Sequence, residues 1–260
     1  MRVAWEVGKS SLRRATTYRG ATLAGAFTNT VFGFVKAYTL IAVFASRTHV
    51  GSLDRTAAIT FSFVDQGFIA AISAFGWREV AERVRTGDIA TDLARPTSFV
   101  GYWTASQLGN AAFAVLFRGL PPFLAASLVF HLRLPTSALA VAGFVATIIG
   151  AAVVAAHFWL VVNLAAFWLV EIRGVLQMGV LLMNGLSGLL IPLQFAPDAI
   201  AHVLRATPFA ACVQLPTEVF LQRQSALGVL AAQAAWIVVL AIAARVVLRA
   251  ATHKLVVQGG

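Results

Sequence analysis

Charge is scarce in this sequence. Only 12% of its 260 residues are Asp, Glu, Lys or Arg, whereas 59% are hydrophobic. Soluble domains carry about 25% charged and about 45–50% apolar residues, and they need polar side chains to cover their surface. The composition therefore excludes a soluble globular domain and predicts that lipid is the outer solvent.

Residues and motifs that build catalytic or metal sites are also missing. Cys212 is the single cysteine, and the five histidines lack the spacing that gathers a metal ion. Gly8-Lys9-Ser10 resembles the end of a phosphate-binding loop, but Val3 occupies the position of that motif's first glycine. No Gly-x-Ser-x-Gly element or paired carboxylates mark a hydrolytic site. We therefore expect no catalytic residue, metal site or cofactor site on this chain.

Long apolar runs are what the sequence does contain. A helix needs about 20 predominantly apolar residues to cross a bilayer, and the runs are apolar on all sides, unlike the alternating segments of a membrane barrel. The fourth run exceeds one crossing, so it could tilt, kink, extend beyond the bilayer or re-enter it. The pattern predicts an all-α integral membrane protein with residues 1–260 in one transmembrane domain. The six predicted membrane helices are Ala21–Ala45, Thr56–Trp77, Leu108–Phe130, Ser137–Val170, Gly174–Phe195 and Ala226–Ala244.

Basic residues are unevenly distributed around these runs. The net charge is +10, but the basic residues punctuate apolar segments instead of forming one polar face, which argues against a nucleic-acid partner. Of the 20 Lys and Arg residues, thirteen fall on the side of the two termini, five fall on the opposite side, and Lys36 and Arg118 lie inside spans. Because cytoplasmic loops are enriched in Lys and Arg, we expect both termini to be cytoplasmic.

Three segments outside the spans have patterns of their own. Residues 1–20 place Met1, Trp5, Leu12 and Ala15 on one side of a helical wheel, beside basic residues, as in a helix that lies on anionic membrane lipid. An ordinary charged leader before the first span is the alternative. Residues 196–225 contain three prolines among apolar residues, which predicts short re-entrant helices in the outer membrane face.

The third segment, residues 78–97, carries eight charged residues and predicts two short amphipathic helices. Gly87 separates the helices, Asp88 can cap the second, and Pro96 ends it. Ile89 and Leu93 lie four residues apart on one helix face, where apolar side chains in water need a partner. We expect that partner to lie outside this chain.

Charges inside the spans are costly in hydrocarbon and usually have a partner or face a cavity. Counting from the outer ends, Lys36 and Asp65 lie at similar depth on consecutive antiparallel spans, so they could pair. Arg118 precedes Gly119 and two prolines, and it could line a polar cavity or reach anionic headgroups by snorkelling. A purely structural role for all three charges remains the alternative to a transport role.

Several motifs in this order resemble those of the ABC-2 type permeases, the membrane subunits of one class of ATP-binding-cassette transporter. The resemblance runs nearly end to end and implies six membrane helices, an N-terminal interfacial helix, a cytoplasmic coupling helix and outer re-entrant helices. The motifs are Gly87-Asp88-Ile89 through Leu93-Ala94-Arg95-Pro96, then Gly188-Leu189-Leu190-Ile191-Pro192 through Pro197, Pro208-Phe209, and the closing Val257-Gln258-Gly259-Gly260.

The resemblance implies a permease of a bacterial inner membrane that exports a hydrophobic or amphipathic substrate. A second permease chain, alike or related, would be a partner, together with ABC ATPase subunits that hold ATP and magnesium. The residues that the resemblance assigns to the ATPase interface are Glu82, Arg85, Asp88, Ile89, Asp92, Leu93 and Arg95.

Two other classes of function compete with this interpretation. An ion-coupled secondary transporter could use Asp65 and Lys36 as a protonation couple and would need no ATPase. An intramembrane lipid-modifying enzyme would need a nucleophile and a base clustered at one depth, which the sequence does not suggest.

Overall fold

The computed structural model describes residues 2–16 and 19–252. Met1, Lys254 and the closing Val257–Gly260 motif lie outside the described residues. The described chain is mostly helical. Its α-helices are α1 Arg2–Ala15, α2 Arg19–Val43, α3 Arg55–Val64, α4 Gln66–Ala71, α5 Glu79–Thr86, α6 Ile89–Leu93, α7 Phe99–Ala114, α8 Leu120–Ser127, α9 Ala138–Leu164, α10 Arg173–Leu186, α11 Asp198–Arg205, α12 Gln214–Phe220 and α13 Ala226–Thr252.

Shorter elements join these helices. A π-helical segment, Val115–Gly119, connects α7 to α8, and single 3-10 turns lie at Ala165–Phe167, Leu193–Phe195 and Ala210–Cys212. Between α2 and α3, strand β1 (His49–Val50) pairs antiparallel with β2 (Leu53–Asp54). This small hairpin is a departure from the expected all-α chain, and Gly51 turns it at a φ of 55°.

Four helices in the described ranges are long and apolar enough to cross a membrane: Arg19–Val43, Phe99–Ser127, Ala138–Phe167 and Ala226–Thr252. The long fourth run is thus a single helix that ends at Phe167. The third predicted span begins nine residues too late, since helix α7 already starts at Phe99. Polar Ser106 and Gln107 interrupt the apolar run, so the first turns of the helix were not recognised as part of the span. Both side chains are buried in the bundle.

The other two predicted spans are shorter and broken. Helices α3 and α4 end at Ala71, and the chain unwinds over residues 72–77. Three buried or half-buried side chains satisfy the carbonyl groups of this unwound stretch: Trp159 donates to Ile72 (2.9 Å), Asn184 to Ala74 (2.7 Å) and Asn163 to Trp77 (2.7 Å). Irregular backbone at membrane depth requires this kind of burial inside protein.

The fifth predicted span, expected to reach Phe195, is helical only to Leu186. Gly188 follows with a φ of 85°, a conformation that a side chain disfavours. Gln214 packs where a Cβ of Gly188 would lie. The described chain thus has four long helices and two shorter, broken ones, and the six-span count stays a prediction.

The bundle has two distinct ends, each with interrupted helices. Helices α5 and α6 pack against the last turns of α13, and we call this the α5–α6 end. Helix α2 starts away from the β-hairpin, since its later residues Leu40 and Phe44 pack with Leu53, so its start is assigned to the same end. A buried cluster there joins Val80 and Ile89 to Trp103, Leu164 and Ala244. The opposite end carries the β-hairpin, α11 and α12, and we call it the α11–α12 end.

The N-terminal helix α1 is attached to the bundle. Its Ser11 hydroxyl lies 2.9 Å from that of Ser106 on α7, and its Gly8 packs so closely on Gly109 that a Cβ there would overlap the carbonyl of Gly8. Trp5 is 71% exposed on another face. The predicted interfacial helix is therefore a helix with a packed small-residue side, and its contact with lipid stays a prediction.

Candidate functional site

The predicted coupling element, residues 78–97, folds into the two expected short helices. Gly87 ends α5 with a left-handed φ of 84°, and α6 begins at Ile89. Asp88 occupies the N-cap position, but its carboxylate accepts a hydrogen bond from the Thr86 hydroxyl (2.9 Å) instead of capping α6. The prediction that Asp88 caps the second helix is thus wrong, because Thr86 is the competing donor.

Helix α9 fixes the start of this element. The side-chain oxygen of Asn163 accepts from the backbone N–H of Ala81 (3.0 Å), and its amide nitrogen donates to the carbonyl of Trp77. Asn163 is fully buried. One amide on a long helix therefore ties α5 to the bundle on both sides of Arg78.

A buried carboxylate holds the two short helices together. Asp92 on α6 accepts hydrogen bonds from Arg83 on α5, with Nη2 at 3.1 Å, and pairs with Arg95 at 3.0 Å. The hydrogen bond to Asp92 raises the pKa of the Arg83 guanidinium above its ordinary value. Arg95 also lies 4.4 Å from the centre of the Tyr102 ring. The element is consequently a preformed unit of this chain.

The apolar side chains of the element face inward. Ile89 is 1% exposed and packs in the cluster with Val80 and Trp103, while Leu93 is half-buried against the same cluster. The expectation of a partner outside this chain is therefore wrong for Ile89, which packs with residues of α7, α9 and α13, and stays a prediction for the exposed part of Leu93. What the element exposes is charge, at Glu82, Arg85 and Asp88.

Two of these exposed charges, Glu82 and Arg85, line a groove of about 560 Å³. Arg78, just before α5, completes their wall, and the connection between α9 and α10 forms the other wall with Trp168 and Glu171. Charged groups of both signs therefore line a recess on the surface of the α5–α6 end.

Lys36 and Asp65, predicted at similar depth, form an ion pair. Asp65 is fully buried at the junction of α3 and α4, and it also accepts from the Gln66 side chain (2.9 Å). Lys36 donates a second hydrogen bond to the carbonyl of Leu189 (2.7 Å), in the irregular stretch after α10. The pair therefore links α2 to two of the helix breaks.

Arg118 lies in the π-helical segment, where the third span departs from regular α-helix but continues to Ser127; the expected kink stays a prediction. The Asn29 amide donates to the carbonyls of both Gln66 and Arg118 (3.3 Å each), so α2, α4 and the π segment meet there. Gly119 approaches Gly67 so closely that a Cβ on it would lie 2.5 Å from the Gly67 Cα. The structure keeps Arg118 apart from the Lys36–Asp65 pair.

Sequence reasoning missed a polar network at the α11–α12 end. Glu218 on α12 is 2% exposed and accepts from Arg205 (Nη1 at 2.8 Å), Gln194 (2.6 Å) and Gln214 (2.8 Å). Gln214 also accepts from the backbone N–H of Leu193 (2.9 Å). An acid in an otherwise apolar segment was the available signal, as was Asn163 near the end of an apolar run.

Comparisons with known proteins give one match. A family model described as "ABC-2 family transporter protein" matches residues 33–259, which includes the coupling element and the intramembrane charges. No curated protein and no solved structure matches the chain. Among the described residues, no cluster of His, Cys, Asp and Glu could hold a metal ion.

Proposed function

Since this chain belongs to the ABC-2 family of transporter proteins, we propose that it is the permease that carries a hydrophobic or amphipathic substrate out of the cell with the help of a separate ATPase. Membership of the family makes it a multi-pass membrane component of a transporter. The exported substrate, the ATPase subunit and the inner membrane as its location belong to the proposal.

The α5–α6 element is the observation that carries the proposal. It is tied to the bundle through Asn163, and Asp92 holds its two helices together, yet it exposes Asp88 and, along a charged groove, Glu82 and Arg85. A surface that must transmit force from a soluble subunit needs both firm attachment and polar contacts. We therefore assign the ATPase contact to the exposed charges and a supporting role to Ile89, Asp92, Leu93 and Arg95.

The test is co-purification of the ATPase with charge-reversal variants. Arg85→Glu combined with Asp88→Arg should leave the melting temperature of the permease nearly unchanged, because both side chains are exposed. The ATPase should be lost from the complex, together with substrate-stimulated hydrolysis. A matched control is Arg249→Glu, which reverses an exposed charge on α13. ATPase retention by the double variant would place the docking surface elsewhere.

Orientation and assembly are further parts of the proposal. The excess of basic residues near the α5–α6 end supports a cytoplasmic position for it, and two permease chains would assemble with two ATPase subunits. In intact cells, an impermeant thiol reagent should label cysteines at Ser52 or Gln224 and spare those at Gly20 or Thr252. The native Cys212 is fully buried, and its replacement by alanine removes it as background. The reverse labelling pattern would overturn the orientation.

A second candidate function rests on the Lys36–Asp65 pair. A buried acid paired with a lysine in a broken-helix region is an arrangement that ion-coupled secondary transporters use. Such a protein would move substrate in vesicles that contain the permease alone, driven by an imposed proton gradient. Transport that requires ATP and a co-purified ATPase would exclude it.

A further inference from the structure

Lys36 and Arg118 are the two cations inside the membrane spans predicted from the sequence, and only Lys36 has a counter-ion in the described chain. Lys36 is paired with Asp65. Arg118 has no carboxylate within ion-pair distance among residues 2–16 and 19–252. An unpaired guanidinium in hydrocarbon is costly, so its surroundings at membrane depth need a separate explanation.

The side chain of Arg118 runs along α2 toward the α5–α6 end. Its own carbonyl contacts Asn29, which is ten residues and thus roughly 15 Å from the start of α2 at Arg19. Its guanidinium lies beside Gly25, and Nη2 points at the carbonyl of Ala21 (3.5 Å). Ala21 is only about 3 Å along the axis from Arg19. The backbone of Arg118 therefore lies near the middle of the span, while its charged group lies near the start of α2.

Gly25 makes this path possible. A Cβ on Gly25 would lie 2.9 Å from Nε and 3.1 Å from Cδ of Arg118, so any side chain there would push the guanidinium away. The absence of a side chain at this position thus leaves a surface groove along α2 that the Arg118 side chain occupies.

The guanidinium is poorly satisfied at the place it reaches. Its Nε is buried and has no acceptor among the described residues, and the bond to Ala21 is at the limit of hydrogen-bond length. A guanidinium has five N–H donors and favours oxyanions that accept two of them side by side. Among the described residues, no heavy atom lies within 4 Å of the position that a Cβ on Gly20 would take.

We propose that Arg118 binds the phosphate group of an anionic phospholipid in the leaflet that borders the start of α2. The guanidinium lies near the start of a membrane-length helix, where headgroup phosphates are expected, and phosphate oxygens would accept from its terminal Nη groups rather than from the buried Nε. Free inorganic phosphate shares this chemistry but would have to leave water to reach the site.

Native mass spectrometry of the purified full-length permease tests the proposal. The protein is titrated with short-chain phosphatidylglycerol, and in a separate arm with inorganic phosphate. Arg118→Gln should weaken binding of the lipid by about tenfold, the loss expected for one charge-assisted contact. Arg249→Gln, which removes an exposed cation from the same end, controls for the general effect of charge and should change the affinity by less than about twofold.

Gly25→Ala provides an independent variant that keeps the charge. It should displace the guanidinium and weaken lipid binding, while alanine favours the α2 helix and protects the fold. Gly174→Ala is its control, since a Cβ there meets nothing within 4 Å. The proposal is overturned by unchanged lipid affinity in both Arg118→Gln and Gly25→Ala, or by inorganic phosphate competing as well as the lipid. A loss of dimer mass in Arg118→Gln without loss of lipid would assign the arginine to a protein partner instead. None of these outcomes depends on the ATPase.

Discussion

Each end of the bundle joins two short helices through a buried carboxylate, but the two helix pairs differ in what they expose. At the α5–α6 end, buried Asp92 ties the helices together through Arg83 and Arg95. At the α11–α12 end, buried Glu218 does the same through Arg205, with help from two glutamines. Both ends expose charged side chains. Helices α5 and α6 expose no large apolar side chain, whereas α11 exposes Ile200 and Val203.

This difference predicts different surroundings for the two helix pairs. A surface of exposed charges suits water and a soluble partner, whereas the exposed apolar face of α11 suits the membrane surface. In both pairs a buried ion pair connects helices that are too short to be stable alone.

The largest expected effect is at Glu218. Its replacement by alanine strands Arg205 and removes the acceptor of two glutamine side chains, so we expect the free energy of unfolding to fall by about 3–5 kcal/mol. Thermal unfolding of the purified permease measures this loss. Glu171→Ala, which removes an exposed carboxylate 3.9 Å from Arg173, should cost less than about 0.5 kcal/mol. Equal losses in the two variants would contradict the tethering role of Glu218.

The Lys36–Asp65 pair should come next. Asp65→Asn should lower stability by about 3 kcal/mol, near the lower end for a broken buried pair, since asparagine still accepts hydrogen bonds. Replacing Lys36 with Met and Asp65 with Leu together should cost less than the single change. A double-mutant cycle on melting temperature measures the coupling. Strictly additive single effects would show that the two side chains do not interact.

Asp92→Ala should have a smaller effect, about 1–3 kcal/mol, because it releases only partly exposed arginines that can be hydrated, whereas Glu218→Ala also leaves the amides of Gln194 and Gln214 without that acceptor. The loss should be local, so trypsin should cleave the α5–α6 element faster while the rest of the chain stays protected. Asp88→Ala removes an exposed carboxylate from the same element and serves as the control. Equal cleavage rates in the two variants would rule out Asp92 as the tether.

The smallest effect concerns Asp54, which caps α3. Burial raises its pKa, but the backbone N–H of Ala57 and the guanidinium groups of Arg133 and Arg223 outweigh burial, so the pKa lies below its ordinary value of 3.8. A depressed pKa stabilises the fold above the unfolded-state value, and this contribution disappears as pH falls through the lower folded-state value.

Asp54→Asn should therefore cost less than about 1 kcal/mol at pH 7, since solvent screens this partly exposed group. The difference between wild type and variant should shrink as the pH drops below 3.8. Unfolding curves at pH 7 and pH 3 measure it. A difference that grows at low pH would have the wrong sign.

Sequence periodicity was sufficient for the long elements and insufficient where the chain breaks. Apolar runs located the four long helices, because the length and apolar composition of a membrane-spanning helix can be read from the sequence without knowing its packing partners. The unwound stretch at residues 72–77 could not be predicted, since it is stable only through side chains of Trp159, Asn163 and Asn184 that are distant in sequence.

In the candidate site, too, features set by local sequence could be predicted and features set by distant elements could not. Gly87 located the junction between α5 and α6 through its local backbone preference. The inward direction of Ile89 and Asp92 depends on α7, α9 and α13 packing over the element, which no local pattern in residues 78–97 encodes. Lys36 and Asp65 could be paired from depth alone because both charges avoid hydrocarbon.

Helix α9 has a mechanical consequence for the whole bundle. Its 27 residues make a rod about 40 Å long. Near its C-terminal end, Asn163 accepts a hydrogen bond from the backbone of α5. Toward its N-terminal end, Gln233 on α13 donates to the carbonyls of Thr147 on α9 and Ala211 (2.9 Å each). The contact of α5 at Asn163 and the contact of α13 at Thr147 are therefore joined by one unbroken helix, about 24 Å apart along its axis. A backbone without a break between them can carry a displacement of α5 along its length without its being absorbed in a loop.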